Sequence, residues 1–267
     1  MLKLLLGRSG SGKTTKLREM VRDALHRSSE SSVFLIVPEQ ASFENERAML
    51  ELLGAEDAQK VHVLSFSRLA DEGFRRYGGG AGKRLDDGGR ILFMNLALSA
   101  VQDQLEFYRA SAAGGELASL LLDVSTELKM CKVSPEKLGK TAGRLPQGAL
   151  SRKLQEVSLI LSAYDALVAR SFLDPLDDLT RVLPLLREHR FFQDAFVAVD
   201  SFAAFTVQEY QILRVILEQS RETVVSLCTD SLHDEDDGTG LFSLVKDTAR
   251  RLRALARESG IPVAVPE

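Results

Sequence analysis

The sequence predicts an α/β fold, a parallel-sheet core interrupted by a large all-α insertion. Three observations predict it. A glycine-rich octapeptide, Gly7-Arg8-Ser9-Gly10-Ser11-Gly12-Lys13-Thr14, stands between an apolar run and a helical pattern. Apolar runs alternate with helical patterns at both ends of the chain. The middle carries helical periodicity and no convincing strand. The core is expected over 1–83 and 191–267, and the α-helical insertion over 84–190.

Taken in order, Leu4-Leu5-Leu6 reads as a buried first strand. The helix after the octapeptide covers 15–27, with Leu17, Met20, Val21, Ala24 and Leu25 at helical spacing. Residues 33–37 form a continuous apolar run ending at Pro38, which suits a strand buried on both faces. A helix follows over 42–53, with Ser42 placed to cap it. A third strand is expected over 61–66 and a helix over 67–77, stopped by Gly78-Gly79-Gly80. Inside the insertion, helices are expected over 91–108, 116–129, 150–171 and 176–187, with Pro135, Pro146 and Pro175 near boundaries. Alternation resumes with a strand over 195–199 ending in Asp200, a helix over 207–218, and a strand over 223–228 ending near Asp230. Residues 231–240 read as an acidic loop, 241–258 as a basic amphipathic helix, and 261–265 as a further strand.

The octapeptide is a complete G-x-x-x-x-G-K-[ST] phosphate loop in the strand–loop–helix setting that the pattern requires. It predicts a core of the P-loop NTPase type that binds ATP or ADP with Mg²⁺. Glycines let the backbone fold around an anion, and the following helix adds its positive end. Residues Gly7, Arg8, Ser9, Gly10, Ser11, Gly12, Lys13 and Thr14 are the candidate nucleotide contacts. Lys13 would reach the β- and γ-phosphates, and Thr14 would hold the metal. Phe196-Val197-Ala198-Val199-Asp200 supplies the second carboxylate such sites use. Asp200 is therefore either a ligand on the Mg²⁺ side or a solvated strand terminus.

Composition sets bounds. Apolar content of 45% with 27% charged residues is ordinary for a globular chain of 267 residues. No apolar run approaches the ~20 residues that span a bilayer. Met1 leads straight into the first strand without a signal peptide, and a cytoplasmic setting is expected. Cys131 and Cys228 lie far apart and read as free buried thiols. A net charge of −4 argues against a strong, free-standing nucleic-acid binder. His26, His62, His189 and His233 do not cluster, and Asp234-Glu235-Asp236-Asp237 lacks calcium-loop spacing.

Further segments carry a resemblance. After the phosphate loop come Val37-Pro38-Glu39-Gln40-Ala41-Ser42-Phe43 and Val63-Leu64-Ser65-Phe66-Ser67-Arg68-Leu69. Beyond the insertion stands Val199-Asp200-Ser201-Phe202-Ala203-Ala204-Phe205-Thr206-Val207-Gln208-Glu209. In this order the chain resembles the first, RecA-like motor domain of a UvrD-like superfamily 1 helicase. More closely, it resembles the N-terminal part of AddB from the bacterial AddAB ATP-dependent helicase–nuclease. The resemblance implies a role in recombinational repair of double-strand breaks, with an AddA-like helicase/nuclease subunit as partner. It implies contribution to recognising Chi in single-stranded DNA. It also implies that the nuclease and its iron–sulfur cluster lie in a C-terminal part outside this chain. Active motors of this type carry Asp-Glu-x-Gln-Asp where this chain has Asp200-Ser201-Phe202-Ala203-Ala204. The carboxylate that would orient water is replaced by Ser201. The third motif, normally Gly-Asp-x-x-Gln, is matched only by Thr229-Asp230-Ser231-Leu232-His233. The second motor domain, which supplies arginines to the γ-phosphate, is not in the chain. Nucleotide binding with very poor turnover is the expectation.

By the same resemblance Gln40, Ser42, Ser65, Phe66 and Arg68 are candidate contacts to single-stranded DNA, with Arg47 beside them. Each has a plain reading too: Ser65 caps a helix, Phe66 packs, and Arg68 lies on the surface. Arg75, Arg76, Lys83 and Arg84, like Arg250, Arg251, Arg253 and Arg257, read more simply as solvated faces. Two other functions remain open: an active P-loop NTPase or small-molecule kinase, and a scaffold with a vestigial loop.

Overall fold

The computed structural model of the chain describes residues 1–27, 32–112, 115–232 and 239–266. Its strands are β1 (Leu2–Gly7), β2 (Val33–Ile36), β3 (Val61–Leu64), β4 (Lys83–Arg84), β5 (Phe172–Leu173), β6 (Phe196–Val199) and β7 (Glu222–Cys228). Its helices are α1 (Lys13–Arg27), α2 (Ser42–Ala58), α3 (Phe66–Tyr77), α4 (Asp87–Val101), α5 (Gly115–Met130), α6 (Pro135–Ala142), α7 (Ala149–Val168), α8 (Asp178–Glu188), α9 (Val207–Gln219) and α10 (Ser243–Glu258). Contacts divide the chain into one unit of Met1–Gly79 with Leu179–Glu267 and another of Gly80–Asp178.

The first unit is α/β. Five strands pair in the order β1-β7-β6-β2-β3, all parallel. Side-chain parity sorts each strand between two apolar clusters. Phe34 and Ile36, Val197 and Val199, and Val225 and Leu227 enter one. Val33 and Leu35, Phe196 and Ala198, and Val224 enter the other. Leu17 and Val21 of α1 and Met49 of α2 cover the second face. Leu69 of α3, Val182 of α8, Ile216 of α9 and Leu252 of α10 cover the first. Apolar faces on both sides explain why these strands read as unbroken apolar runs. Because all five run the same way, the ends of β1, β7 and β6 open side by side at one sheet edge. Gly7 pairs with Cys228, and Val199 with Val225, so the segments after them are neighbours. In open parallel sheets this edge is where ligands bind.

The second unit is helical with its own core, built from Met94 and Leu98 of α4, Leu121 of α5, and Ile160, Leu161 and Tyr164 of α7. Below them Lys129 meets Asp177 at 2.7 Å and Asp174 at 2.9 Å. Burial alone would lower the Lys129 pKa, but these carboxylates raise it well above its ordinary value.

Several elements depart from expectation. Helix α8 begins at Asp178, and Val182 and Leu186 pack into the sheet unit, so contacts divide the chain at 79/80 and 178/179 rather than at 84 and 190. The helix expected over 91–108 starts earlier, where Asp86 accepts from Gly89 N–H, and ends at Val101 with a short 3₁₀ turn over Gln102–Gln104. Helix α6 has no counterpart among the expected helices, although Ser134 caps it and Pro135 opens it. The insertion expected over 84–190 to hold no strand carries β5, which pairs in parallel with β4 at its start, Lys83 with Phe172 and Arg84 with Leu173. Ser42 does not cap α2. It is the helix's first residue, and its hydroxyl donates back to the Pro38 carbonyl at 3.4 Å. The expected strand over 261–265 is a single parallel bridge from Val263 to Leu2. Both cysteines are exposed, not buried. The acidic run 234–237 and His233 lie outside the described residues. No helix among the described residues is long and apolar enough to cross a membrane.

Candidate functional site

The phosphate-loop sequence forms the turn between β1 and α1, and α1 begins at Lys13 itself. Local geometry explains its glycines. A Cβ on Gly7 would stand 2.4 Å from Ser11 Oγ. Gly10 and Gly12 have φ of 77° and 86°, a region L-residues rarely enter. Lys13 Nζ donates to the Arg8 carbonyl at 2.8 Å and reaches Ser11 Oγ at 3.4 Å. The lysine thus folds over the loop it belongs to.

A cavity of about 530 Å³ opens beside this loop. Ser9, Gly10, Gly12, Lys13 and Thr14 form one wall. Asp200 faces them from the end of β6 and is only 3% exposed. Its carboxylate accepts a hydrogen bond from Ser226 on β7, the strand between β6 and β1. Its backbone N–H donates to the Ile36 carbonyl at 3.0 Å. The structure therefore brings together the loop and Asp200, the two features that sequence pattern singled out.

Ser201 follows with φ of 68°, an uncommon left-handed conformation for a non-glycine residue. Together with Phe202, Ala203 and Val245 it makes the rest of the wall. Phe202 also packs into an aromatic group, tilted against Phe205 at 4.9 Å and edge-on to Phe66 at 5.6 Å between ring centroids. Helix α10 is tied to this wall by Thr248, whose hydroxyl donates to the Ala203 carbonyl at 2.9 Å. Ser226, Cys228 and Val245 were not legible as site residues. The available signal was parity on β7, which puts Ser226 and Cys228 on the same face as Val224.

The segment after β7 adds charge. Thr229 N–H donates to the Gly7 carbonyl at 3.1 Å, which carries Asp230 to the side of the loop. Asp230 lies 3.9 Å from Arg8 Nη2 and 3.5 Å from Lys246 Nζ on α10. Burial pushes the Asp230 carboxyl up, but the Ser231 N–H and Lys246 outweigh it and hold it below its usual range.

The candidate DNA residues separate by exposure. Ser65 is 3% exposed and caps α3, accepting from Arg68 N–H while donating to Glu39. Phe66 is buried among Phe202 and Phe205. Ser42 is buried. Gln40 is exposed, and Arg68 is exposed and paired with Glu46. Phe43, which the sequence marked only within its segment, is 78% exposed. Arg47 pairs with Glu51 at 2.9 Å. Arg75 and Arg76 both pair with Glu72, Arg84 pairs with Asp178, and Arg250 and Arg251 pair with Asp247. Among the described residues, no cluster of His, Cys, Asp or Glu is arranged to hold a metal by itself.

Comparison with known proteins gives one direction. The model of the family described as ADDB, N-terminal, matches residues 4–267. The B subunit of the ATP-dependent helicase/deoxyribonuclease of Acetivibrio thermocellus is 31% identical over 263 residues, covering 98% of this chain and 23% of the relative. The protein of the same name from Desulforudis audaxviator is 33% identical over 270 residues, covering 99% and 23%. That from Clostridium tetani is 29% identical, covering 99% and 24%. The chain spans about a quarter of the length of these relatives. With a family match over nearly its whole length, the chain belongs to the AddB N-terminal domain family.

Proposed function

We propose that the chain is a nucleotide-binding, largely hydrolysis-inactive helicase-like module, with a RecA-like P-loop core, of an ATP-dependent helicase/deoxyribonuclease subunit. One observation carries the reading. A complete phosphate loop opens α1 across a cavity of about 530 Å³ from the buried Asp200, while the adjoining residue is Ser201. Glycine is what lets the loop turn this tightly, since a Cβ at Gly7 would meet Ser11 Oγ and Gly10 and Gly12 take left-handed φ that side-chain-bearing residues rarely adopt. The backbone N–H groups of such a loop are of the kind that receive phosphates. Residues Gly7 to Thr14 would hold ATP or ADP, and Thr14 with Asp200 would hold Mg²⁺. The bound cation would neutralise phosphate charge. Ser201 is too short and too weakly basic to orient an attacking water as a carboxylate would. Phe202, Ala203 and Val245 beside it present carbon rather than acid–base groups.

In the whole protein the module would act with an AddA-like helicase/nuclease subunit on DNA ends in the cytoplasm, during recombinational repair. Gln40, Phe43 and Arg68 are the exposed groups that would touch single-stranded DNA and contribute to Chi recognition. Ser42, Ser65 and Phe66 would serve by fixing the segments that carry them. An iron–sulfur cluster would belong to the length that the relatives have beyond this region.

Nucleotide titration with Mg²⁺ tests the reading. ATP at a hundredfold over its dissociation constant should stabilise the fold by about 2.7 kcal/mol. Lys13→Ala should abolish most of that shift. Absence of any shift at millimolar nucleotide would leave a scaffold with a vestigial loop. Phosphate release at about 1 per second or faster, an ordinary enzyme rate, would make the chain an active NTPase.

A further inference from the structure

We propose that the outward face of α6, continued into the turn at Arg144, is a docking surface for the phosphate backbone of duplex DNA. It goes beyond the single-strand contacts proposed above, which involve other residues and lie on the sheet unit. Residues 132–153 hold six cations, Lys132, Lys137, Lys140, Arg144, Arg152 and Lys153, against one carboxylate, Glu136, in a chain whose net charge is −4. Helix α6 is clamped along α7. The Ser158 hydroxyl donates to the Pro135 carbonyl at 2.7 Å, and the Ser151 hydroxyl to the Ala142 carbonyl at 2.8 Å. Gly139 packs so close that a Cβ there would stand 2.7 Å from Ser158 Oγ. Pro135, Gly139 and Ala142 thus mark the inner side of the helix. Lys137, Lys140 and Arg144, spaced three and four residues apart, fall on the opposite side, and all three are exposed. Gly143 keeps helical φ and ψ of −67° and −15°, which carries the stripe past the helix end.

Among the described residues, no carboxylate reaches ion-pair distance of Lys137, Lys140 or Arg144. Arg68, Arg75, Arg76 and Arg251 each hold one. Core packing does not account for α6 either, since only Ala142 of its eight residues is buried. Like charges held side by side repel, and an external polyanion relieves that repulsion. A phosphate backbone suits the stripe better than an acidic protein surface does. Lysine is depleted at protein interfaces, which centre on aromatic and apolar anchors, and the exposed residue between these charges is Thr141. A single strand is gripped largely by stacking its bases on aromatic rings, and α6 has none. A duplex presents phosphates with its base faces already stacked. Residues 137 and 144 lie about 10 Å apart along the helix, a length over which duplex DNA carries about six charges. Arg152 and Lys153 extend the charge onto the first turn of α7, which Ser151 ties to Ala142. Glu106, 3.6 Å from Arg152, forms with it an exposed pair that adds little. The clamp on α6 presents the stripe on a fixed support, so that binding orders side chains rather than backbone.

The chain is titrated with a fluorescent blunt duplex of arbitrary sequence, with a single strand of the same length, and with polyglutamate, at about 50 and about 200 mM salt. The duplex should bind most tightly of the three. Lys137→Ala/Lys140→Ala/Arg144→Ala should weaken duplex binding and take about three units off its salt slope, one for each phosphate contact removed. Lys137→Arg/Lys140→Arg keeps the charge and should bind as the parent does. Arg250→Ala/Arg251→Ala/Arg253→Ala removes the same charge from α10 and should leave the slope within about one unit of the parent. The three α6 positions are exposed, so the variant should keep the thermal midpoint of the parent. Parental affinity and slope in the α6 variant would overturn the proposal, as would a loss no greater than that of the α10 variant. Absence of duplex binding at the lower salt would overturn it too. A single strand or polyglutamate bound as tightly as the duplex, with the same loss in the α6 variant, would give the stripe to that partner instead. None of these outcomes bears on nucleotide binding at the cavity, which uses none of these residues.

Discussion

Glu156 occupies the middle of α7, and a glutamate is ordinarily a surface residue. It is instead buried, and its carboxylate accepts the backbone N–H groups of Glu106, Phe107 and Tyr108 at 2.8–3.0 Å. Burial alone would push its carboxyl up, but these three donors hold it below its ordinary value. Glu156→Gln keeps the shape and removes the charge. It should destabilise the helical unit by about 1–3 kcal/mol, the cost of weakening buried donors' partners. The sign of the pH dependence follows. A carboxyl with a depressed folded pKa contributes stability above its unfolded value of about 4.3, and loses it as pH falls through the folded pKa. Thermal melts of the two proteins should differ at pH 7 and converge in acid below about pH 4. A constant difference across that range would mean that the charge is not what matters. This role was not legible because its partners lie 48 to 50 residues away in the chain. The turn of residues 7–14 between β1 and α1 was legible because its glycine pattern is contained in consecutive residues.

At the scale of an element, α3 separates structure from binding. Ser65 holds its first turn through the Arg68 N–H and is tied to Glu39. Ser65→Ala should cost about 1 kcal/mol or more in stability, as loss of an N-cap usually does. Arg68 stands on the same turn, but its exposed pair with Glu46 adds at most about 1 kcal/mol. Arg68→Ala should therefore leave the thermal midpoint nearly unchanged. If α3 lies along a DNA strand, the same variant should weaken single-stranded DNA binding and flatten its salt dependence by about one unit of slope. That measurement belongs in the full-length protein assembled with its partner, at two salt concentrations. Equal affinities and equal slopes would return Arg68 to a surface role. The elements with clear apolar periodicity, such as α1, α3 and the core strands, could be read in advance. Helix α6 could not, because only Ala142 of it is buried and eight residues carry little pattern. The pair β4–β5 is shorter still and exists through tertiary pairing alone.

The whole molecule consists of units whose cores share no residue. The sheet clusters draw on residues up to Phe74 and from Val182 onward, while the helical cluster draws on Leu85 to Val168. That division was legible as a change of periodicity, from strand–helix alternation to helices alone. Its boundaries were not, because α8 has the same helical pattern as its predecessors, and only its contacts assign it to the sheet. The candidate site draws on the loop at residues 9–15, on 200–203, on Ser226 and Cys228, and on Val245. Every one belongs to the sheet unit. Parallel pairing of β1 with β7, and of β7 with β6, is what joins these distant stretches, and sheet order is not written in any local pattern. A consequence can be tested directly. Replacing residues 80–178 by a flexible Gly/Ser linker removes the helical core and no residue of the cavity. Closing a loop of different length changes stability only slowly with length. The shortened protein should fold and bind Mg²⁺ nucleotide within about fivefold of the parent, a difference of about 1 kcal/mol. Calorimetric titration of both proteins measures this. A folded but non-binding variant would show that the helical unit contributes to the site, and the cavity at the strand ends would then be only part of it.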